Sequence, residues 1–224
     1  MSSKPNLRLG PDQDVADGVL ERRRALTELV GDPGDTLFVS GLAGSKDDVL
    51  HLVGADSPAA FTLSGAMGAA VAMGLGLALA QPDRKVMVVT GDGELLMNVG
   101  TLATVGVLNP PNLSIICVDN EHYGETGWQE SHTGRGVDIA KMAEGGQIPN
   151  VRTVTKEAEL VEAAQMLREG NGTSFVLVKV APTKPPSIKT SESAFGVLGA
   201  IQTAAANSST STSIRLRSSL FSER

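Results

Sequence analysis

An aspartate between two glycines, Gly91-Asp92-Gly93, follows one apolar run, and Asp119-Asn120 closes the next. The carboxylate of Asp92 and the amide oxygen of Asn120 are hard donors of the kind Mg²⁺ takes, together with phosphate oxygens and water. The loop after Asn120 would add a backbone carbonyl. Bare glycines on either side of the acid let a diphosphate approach the main chain without meeting a Cβ. A helix starting near Glu94 would turn its free N–H groups toward that anion. A Gly-Asp-Gly triplet alone is most often a turn. Its pairing with Asp-Asn after the next apolar run makes this a divalent-metal and diphosphate pattern.

The elements that must hold these residues are readable around them. Val86 to Thr90 is short, apolar and β-branched, and reads as a buried strand. Glu94 to Leu108 reads as a helix, Asn109-Pro110-Pro111-Asn112 breaks it, and Leu113 to Val118 reads as a second buried strand. Two parallel strands joined by a crossover helix place their C-terminal ends side by side. Asp92 and Asn120 are thereby expected at the edge where open α/β sheets bind ligands.

Further along the chain the same alternation continues. Asp12 or Asp14 is a candidate cap for a helix running to about Val30, with Val15, Val19, Leu26 and Leu29 as its apolar positions. Thr36 to Ser40 is a candidate strand, Gly41 to Ser45 a turn and Lys46 to Val53 a short helix. Phe61 to Leu63 is another candidate strand and leads into a Gly/Ala-rich helix. After the second metal-site strand, residues 121–135 form a polar loop of the kind that carries function. A helix over Asp138 to Glu144, a strand over Val151 to Val154, a helix over Lys156 to Glu169 and a strand over Ser174 to Val180 follow. The alternation predicts an α/β fold, a mostly parallel sheet with helices on both faces. Residues 1–11 read as a loose N-terminus, 12–186 as one domain, and 187–224, rich in Ser, Thr and Ala, as a flexible low-complexity tail.

Composition narrows the function classes. The 224 residues are 41% hydrophobic but only 3% aromatic, so aliphatic side chains must fill the core. A net charge of -6 argues against a nucleic-acid surface. No apolar run is long enough for a membrane span, and no signal-peptide apolar region opens the chain. Cys117 stands alone in an apolar strand and reads as a buried small hydrophobe rather than a reactive thiol. One cysteine makes no internal disulfide and no iron–sulfur cluster, and it fits a cytoplasmic setting.

At the two motifs the chain resembles the C-terminal, diphosphate-binding (PP) domain of thiamine diphosphate-dependent enzymes. Their signature is Gly-Asp-Gly, an interval like that of residues 94–118, then Asn-Asn or Asp-Asn. Residues 91–127 are most similar to β subunits of sulfopyruvate decarboxylase and to the matching domain of phosphonopyruvate decarboxylase, and the resemblance runs from about Gly34 to Pro186. It implies thiamine diphosphate and Mg²⁺ as cofactors. Asp92 and Asn120 would be side-chain metal ligands, with His122 giving a backbone carbonyl. Gly91, Gly93, Glu94, Tyr123 and Gly124 would lie against the cofactor. In Ser64-Gly65-Ala66-Met67-Gly68, the resemblance implies that the Gly65 carbonyl accepts from the aminopyrimidine and that Met67 props the cofactor into its bent form. Met67 can also be read as a core methionine on a Gly/Ala-rich helix.

The activity implied is decarboxylation of a small 2-oxo acid, with the cofactor as electron sink. His122, Glu125 and His132 are the candidate catalytic residues, with Thr126, Gln129 and Arg135 as further polar groups of the loop. Arg135 would pair with an anionic substrate head, or structurally with Asp138. A PP domain is half of a site in this family, so a separate PYR-domain α subunit and a hetero-oligomer are expected. Two alternatives are a carboligase or synthase subunit and a non-catalytic thiamine diphosphate-binding regulatory module. A dinucleotide-binding domain is disfavoured, because residues 64–76 lack a clean G-x-G-x-x-G after a strand.

Overall fold

The computed structural model describes residues 18–189. The expected loose N-terminus, the Asp12 and Asp14 caps, Val15 and most of the expected tail lie outside the described residues. Helix α1 spans Arg22–Val30. The expected helix does not reach back through residues 18–20, because Gly18 takes a left-handed φ of 84°. The carboxylate of Glu21 caps the helix instead, accepting from the N–H groups of Arg23 and Arg24 at 3.0 and 2.9 Å. Leu26 and Leu29 are buried as expected, while Val19 is exposed.

Strand β1 (Leu37–Ser40), helix α2 (Gly44–Val53), strand β2 (Ala60–Thr62) and helix α3 (Ala70–Ala80) follow. Strand β3 is Val86–Gly91. The helix expected over Glu94 to Leu108 is two helices, α4 (Asp92–Leu96) and α5 (Thr101–Leu108). Between them the chain tightens into i→i−3 bonds, Met97 to Glu94 at 3.1 Å and Asn98 to Leu95 at 3.0 Å. The side chain of Asn98 donates to the Gly68 carbonyl at 3.2 Å, which ties this break to the turn before α3.

Strand β4 (Leu113–Asp119) is buried at every position. The loop after it contains a two-residue antiparallel ribbon, β5 (His122–Tyr123) with β6 (Gln129–Glu130). Helix α6 (Ile139–Gly145), strand β7 (Asn150–Val154), helix α7 (Leu160–Glu169) and strand β8 (Ser174–Lys179) complete the described chain.

Six strands form one sheet in the order β2-β1-β3-β4-β8-β7, and every pair in it is parallel. Successive strand residues feed opposite cores, as the two-residue period requires. Met87, Val89, Ile116, Val118, Val176 and Val178 pack with α1, α2 and α7. Val86, Val88, Ile115, Cys117, Phe175 and Leu177 pack with α3, α5 and α6. Both faces are covered, which is why the central strands read as continuous apolar runs. Chain order reverses between β1 and β3, and the C-terminal edge beside that reversal is where such sheets open a crevice.

Candidate functional site

Register places the motif residues. Gly91 on β3 pairs with Val118 on β4, so Asp92 and the Asp119-Asn120 pair leave neighbouring strands at the same edge. Asp92 is 2% exposed and Asn120 9%. Both line an open cleft of about 310 Å³, together with Ser45, Lys46, Ser64, Met67, His122 and Glu125.

Two consecutive side-chain turns set Asn120. Asp119 Oδ1 accepts from the Glu121 N–H, and Asn120 Oδ1 accepts from the His122 N–H, each at 3.0 Å. They reverse the chain directly after β4 and hold Glu121 at a φ of 61°. The His122 ring is fixed by Nδ1, 2.9 Å from the Asn120 carbonyl.

Asp92 is surrounded by hydroxyls. Ser131 donates to its Oδ2, and Thr133 Oγ1 lies 3.1 Å from the same oxygen. Burial pushes the Asp92 carboxyl above its ordinary value; the Ser131 hydroxyl opposes this, and the nearby Asp119 charge adds to it. Asp119 itself receives Thr133 Oγ1 at 2.7 Å and Lys179 Nζ at 2.9 Å. Lys179 also reaches Glu121 at 2.7 Å.

The glycines divide the space. A Cβ on Gly91 would meet nothing closer than the Val118 carbonyl at 4.0 Å, so the approach to Gly91 is open. At Gly93 the absent Cβ makes room for Tyr123, whose ring carbon would lie 2.3 Å from it. A Cβ on Gly41 would overlap the Glu94 carboxylate. Glu94 is thus folded back against the turn after β1, 5% exposed, with Oε1 lacking a hydrogen-bond partner among the described residues. Burial raises its pKa, opposed in part by the Thr90 hydroxyl and nearby backbone N–H groups. Helix α4 begins at Asp92, two residues before the expected start, and is only five residues long.

The donor set fits Mg²⁺ and a diphosphate. It offers one carboxylate and one amide oxygen beside an open glycine, and phosphate oxygens and water would complete six-fold coordination. Among the described residues no three His, Cys, Asp or Glu side chains cluster as an all-protein metal cage.

The other expected residues separate into two groups. Met67, His122, Tyr123, Gly124, Glu125 and Thr126 line the cleft; Gly65 is beside it, flanked by Ser64. His132, Gln129 and Arg135 are not part of its lining. His132 is exposed, with Nδ1 3.5 Å from the Tyr123 hydroxyl. Gln129 bonds Thr126. Arg135 pairs with Glu130 at 3.1 Å, not with Asp138, which caps α6 and pairs with Lys141 at 3.2 Å. Glu130 reaches Arg135 because β6 runs directly into the turn at Thr133–Arg135.

Sequence reasoning missed Ser131, Thr133, Lys179, Ser45, Lys46 and Lys184. The first three reach the site only through tertiary contacts. Ser45 and Lys46 begin α2 at the end of β1, a position the strand prediction could have flagged. Ser187 also lines the cleft, and the Ile188 N–H donates to Asp47 at 3.0 Å, so the residues where a tail was expected to begin pack on this domain.

A family model described as thiamine pyrophosphate enzyme, C-terminal TPP binding domain, matches residues 48–179. The sulfopyruvate decarboxylase subunit beta of Methanocaldococcus jannaschii is 35% identical over 144 residues, 64% of this chain and 76% of that one. A phosphonopyruvate decarboxylase of Streptomyces viridochromogenes is 35% identical over 159 residues, 71% of this chain but 38% of the relative. The fold is shared with benzoylformate decarboxylase from Polynucleobacter necessarius, at a TM-score of 0.63 and 20% identity, over 80% of this chain and 36% of that one.

Proposed function

The chain belongs to the thiamine pyrophosphate enzymes through their C-terminal TPP binding domain, and on that premise we propose that it is the β-type subunit of a 2-oxo acid decarboxylase. The observation that carries the reading is the meeting of Asp92 and Asn120 at adjacent strand ends, facing one cleft. These two side chains would hold Mg²⁺, with the His122 carbonyl as a further donor. Gly91 would admit the diphosphate to the backbone. Met67, 39% exposed at the cleft and not in the core, is free to support a ligand there.

Bound thiamine diphosphate supplies the electron sink for loss of CO₂. The residues of the chain bind and orient. His122 and Glu125 face the cleft and are the groups we assign to proton handling near the reacting carbon. Lys46 and Lys184 line the same cleft. They are the cations available to an acidic substrate, in place of Arg135.

A second subunit would complete the site. The matched region accounts for about a third of the Streptomyces and Polynucleobacter proteins. Helices α3 and α5 carry no charged residue, and their exposed faces are available to a partner. Native mass spectrometry of the protein purified from its source, followed by assay of CO₂ release from 2-oxo acids, tests the reading. A second subunit with bound thiamine diphosphate and Mg²⁺, and CO₂ release dependent on both, is expected. A homo-oligomer without cofactor would overturn it.

A further inference from the structure

The loop that leaves β4 at Asn120 returns to the metal side of the cleft. Its return is fastened by the Ser131 N–H, which donates to the Glu121 carbonyl at 2.7 Å. Ser131 and Thr133 are then 1% and 5% exposed, with their hydroxyls 2.9 Å apart. Ser131 donates to Asp92 Oδ2. Thr133 Oγ1 lies between that oxygen, at 3.1 Å, and Asp119 Oδ1, at 2.7 Å. Asp92 follows β3 and Asp119 ends β4, so two hydroxyls from one loop tie two strand ends together.

Each hydroxyl has one proton to give. Ser131 spends its proton on Asp92, and the single proton of Thr133 is shared between Asp119 Oδ1 and Asp92 Oδ2. Asp119 is otherwise compensated by Lys179 and the Glu121 N–H. Asp92 has no cation among the described residues, and neither hydroxyl reaches its Oδ1. One carboxylate of the pair is therefore filled. The side chains around the other hold it at Oδ2 only, and its charge is left to the Gly93 N–H and the cleft it lines.

We propose that Ser131 and Thr133 are positioning residues that clamp Oδ2 of Asp92 and present Oδ1 to a divalent cation. The proposal rests on the reading of Asp92 as a metal ligand. A carboxylate fixed in one rotamer before the ion arrives binds without further ordering, which is how partners behind a ligand tune metal affinity. Hydroxyls that served only to solvate a buried acid would affect folding and leave the metal affinity of folded protein alone.

The test uses the full-length protein expressed in its native host with any subunits it assembles with, stripped of metal and supplied with thiamine diphosphate. Mn²⁺ is the probe, followed by electron paramagnetic resonance. Ser131→Ala and Thr133→Val should raise the Mn²⁺ dissociation constant roughly 10- to 100-fold. Thr133→Ser keeps the hydroxyl and should stay near wild type. In turnover, the loss should sit in the Mg²⁺ activation constant, with kcat returning at saturating Mg²⁺. Wild-type Mn²⁺ affinity in folded Ser131→Ala and Thr133→Val would overturn the clamp. If Thr133→Val does not fold, the contrast between Ser131→Ala and Thr133→Ser decides alone. Asp92→Ala separates the two layers. If it binds Mn²⁺ as the wild type does, the metal assignment fails and the clamp falls with it. If Asp92→Ala loses binding while the hydroxyl variants keep it, only the clamp is overturned.

Discussion

Asp92 is buried against hydroxyls and another acid, an arrangement that costs stability unless a cation shares it. Replacing it should therefore hurt binding far more than folding. For Asp92→Ala we expect more than about 100-fold loss of Mg²⁺-dependent activity, beyond the range typical of groups behind a ligand. Thermal melting should be unchanged or slightly improved. A Mg²⁺ titration of activity beside a melting curve checks both. On the substrate side, Lys184→Met should raise KM for a dianionic 2-oxo acid by roughly tenfold, about 1.4 kcal/mol. It should leave a monoanionic analogue unaffected, and equal KM changes for both would remove Lys184 from that role. These residues differ in how legible they were. The places of Asp92 and Asn120 followed from the strand–helix–strand spacing, because parallel strands force their C-terminal ends together. Ser131 and Thr133 lie in a loop with no period, and only its return through Ser131 and Glu121 brings them to Asp92. Arg135 was expected at a substrate or at Asp138, but nothing local in the sequence signalled that β6 would hand Glu130 to it.

Among the elements, strands were easier to read than helix ends. The buried strands β3 and β4 carry β-branched residues on both faces and β8 carries Val176 and Val178 on one and Phe175 and Leu177 on the other, and each lies within a residue of its expected bounds. The helix after Gly-Asp-Gly was expected to run unbroken from Glu94 to Leu108. The interruption comes from Asn98 bonding across to Gly68, a contact between residues 30 positions apart. At α6 the expected helix start agrees with the structure. Asp138 was expected at the start of its helix, and its side chain accepts from the Lys141 N–H at 3.1 Å. That N–H holds the Asp138 carboxyl below its ordinary value of 3.8. A depressed value in the folded state means the cap contributes stability above the unfolded pKa and loses it as pH falls through the folded one. Asp138→Ala should cost about 1 kcal/mol at neutral pH, lowering Tm by about 2–4 °C. The gap between wild type and variant should narrow below about pH 4 as the carboxyl protonates. Paired melting curves at pH 7 and pH 3 measure it, and a gap unchanged at pH 3 would show that the charge is not what matters.

Across the whole described molecule, the two sides of the sheet are finished differently. Helices α1 and α7 turn charged residues outward, and Arg24 of α1 pairs with Glu157, in the turn just before α7, at 3.0 Å. Helices α3 and α5, which pack side by side on the other face, contain no charged residue at all. Met73 and Leu79 of α3 and Val107 and Leu108 of α5 are exposed, as are Met97 in the link between α4 and α5 and Met67 at the cleft. Exposed apolar surface of this kind marks an interaction surface more often than an accident of composition. Met67 lines the cleft, and the proposed second subunit, which must reach that cleft to complete it, is the occupant we propose for these helix faces. Val107 is 81% exposed and is not part of the cleft lining, so Val107→Glu should leave the fold and Tm intact. It should nevertheless weaken assembly by more than roughly tenfold, because a carboxylate would be buried without a partner at the interface. Size-exclusion chromatography of the co-expressed subunits at falling concentration reads this directly. Assembly as tight as wild type would move the partner to another face of the domain. A lower Tm would instead assign Val107 to the fold of the chain itself.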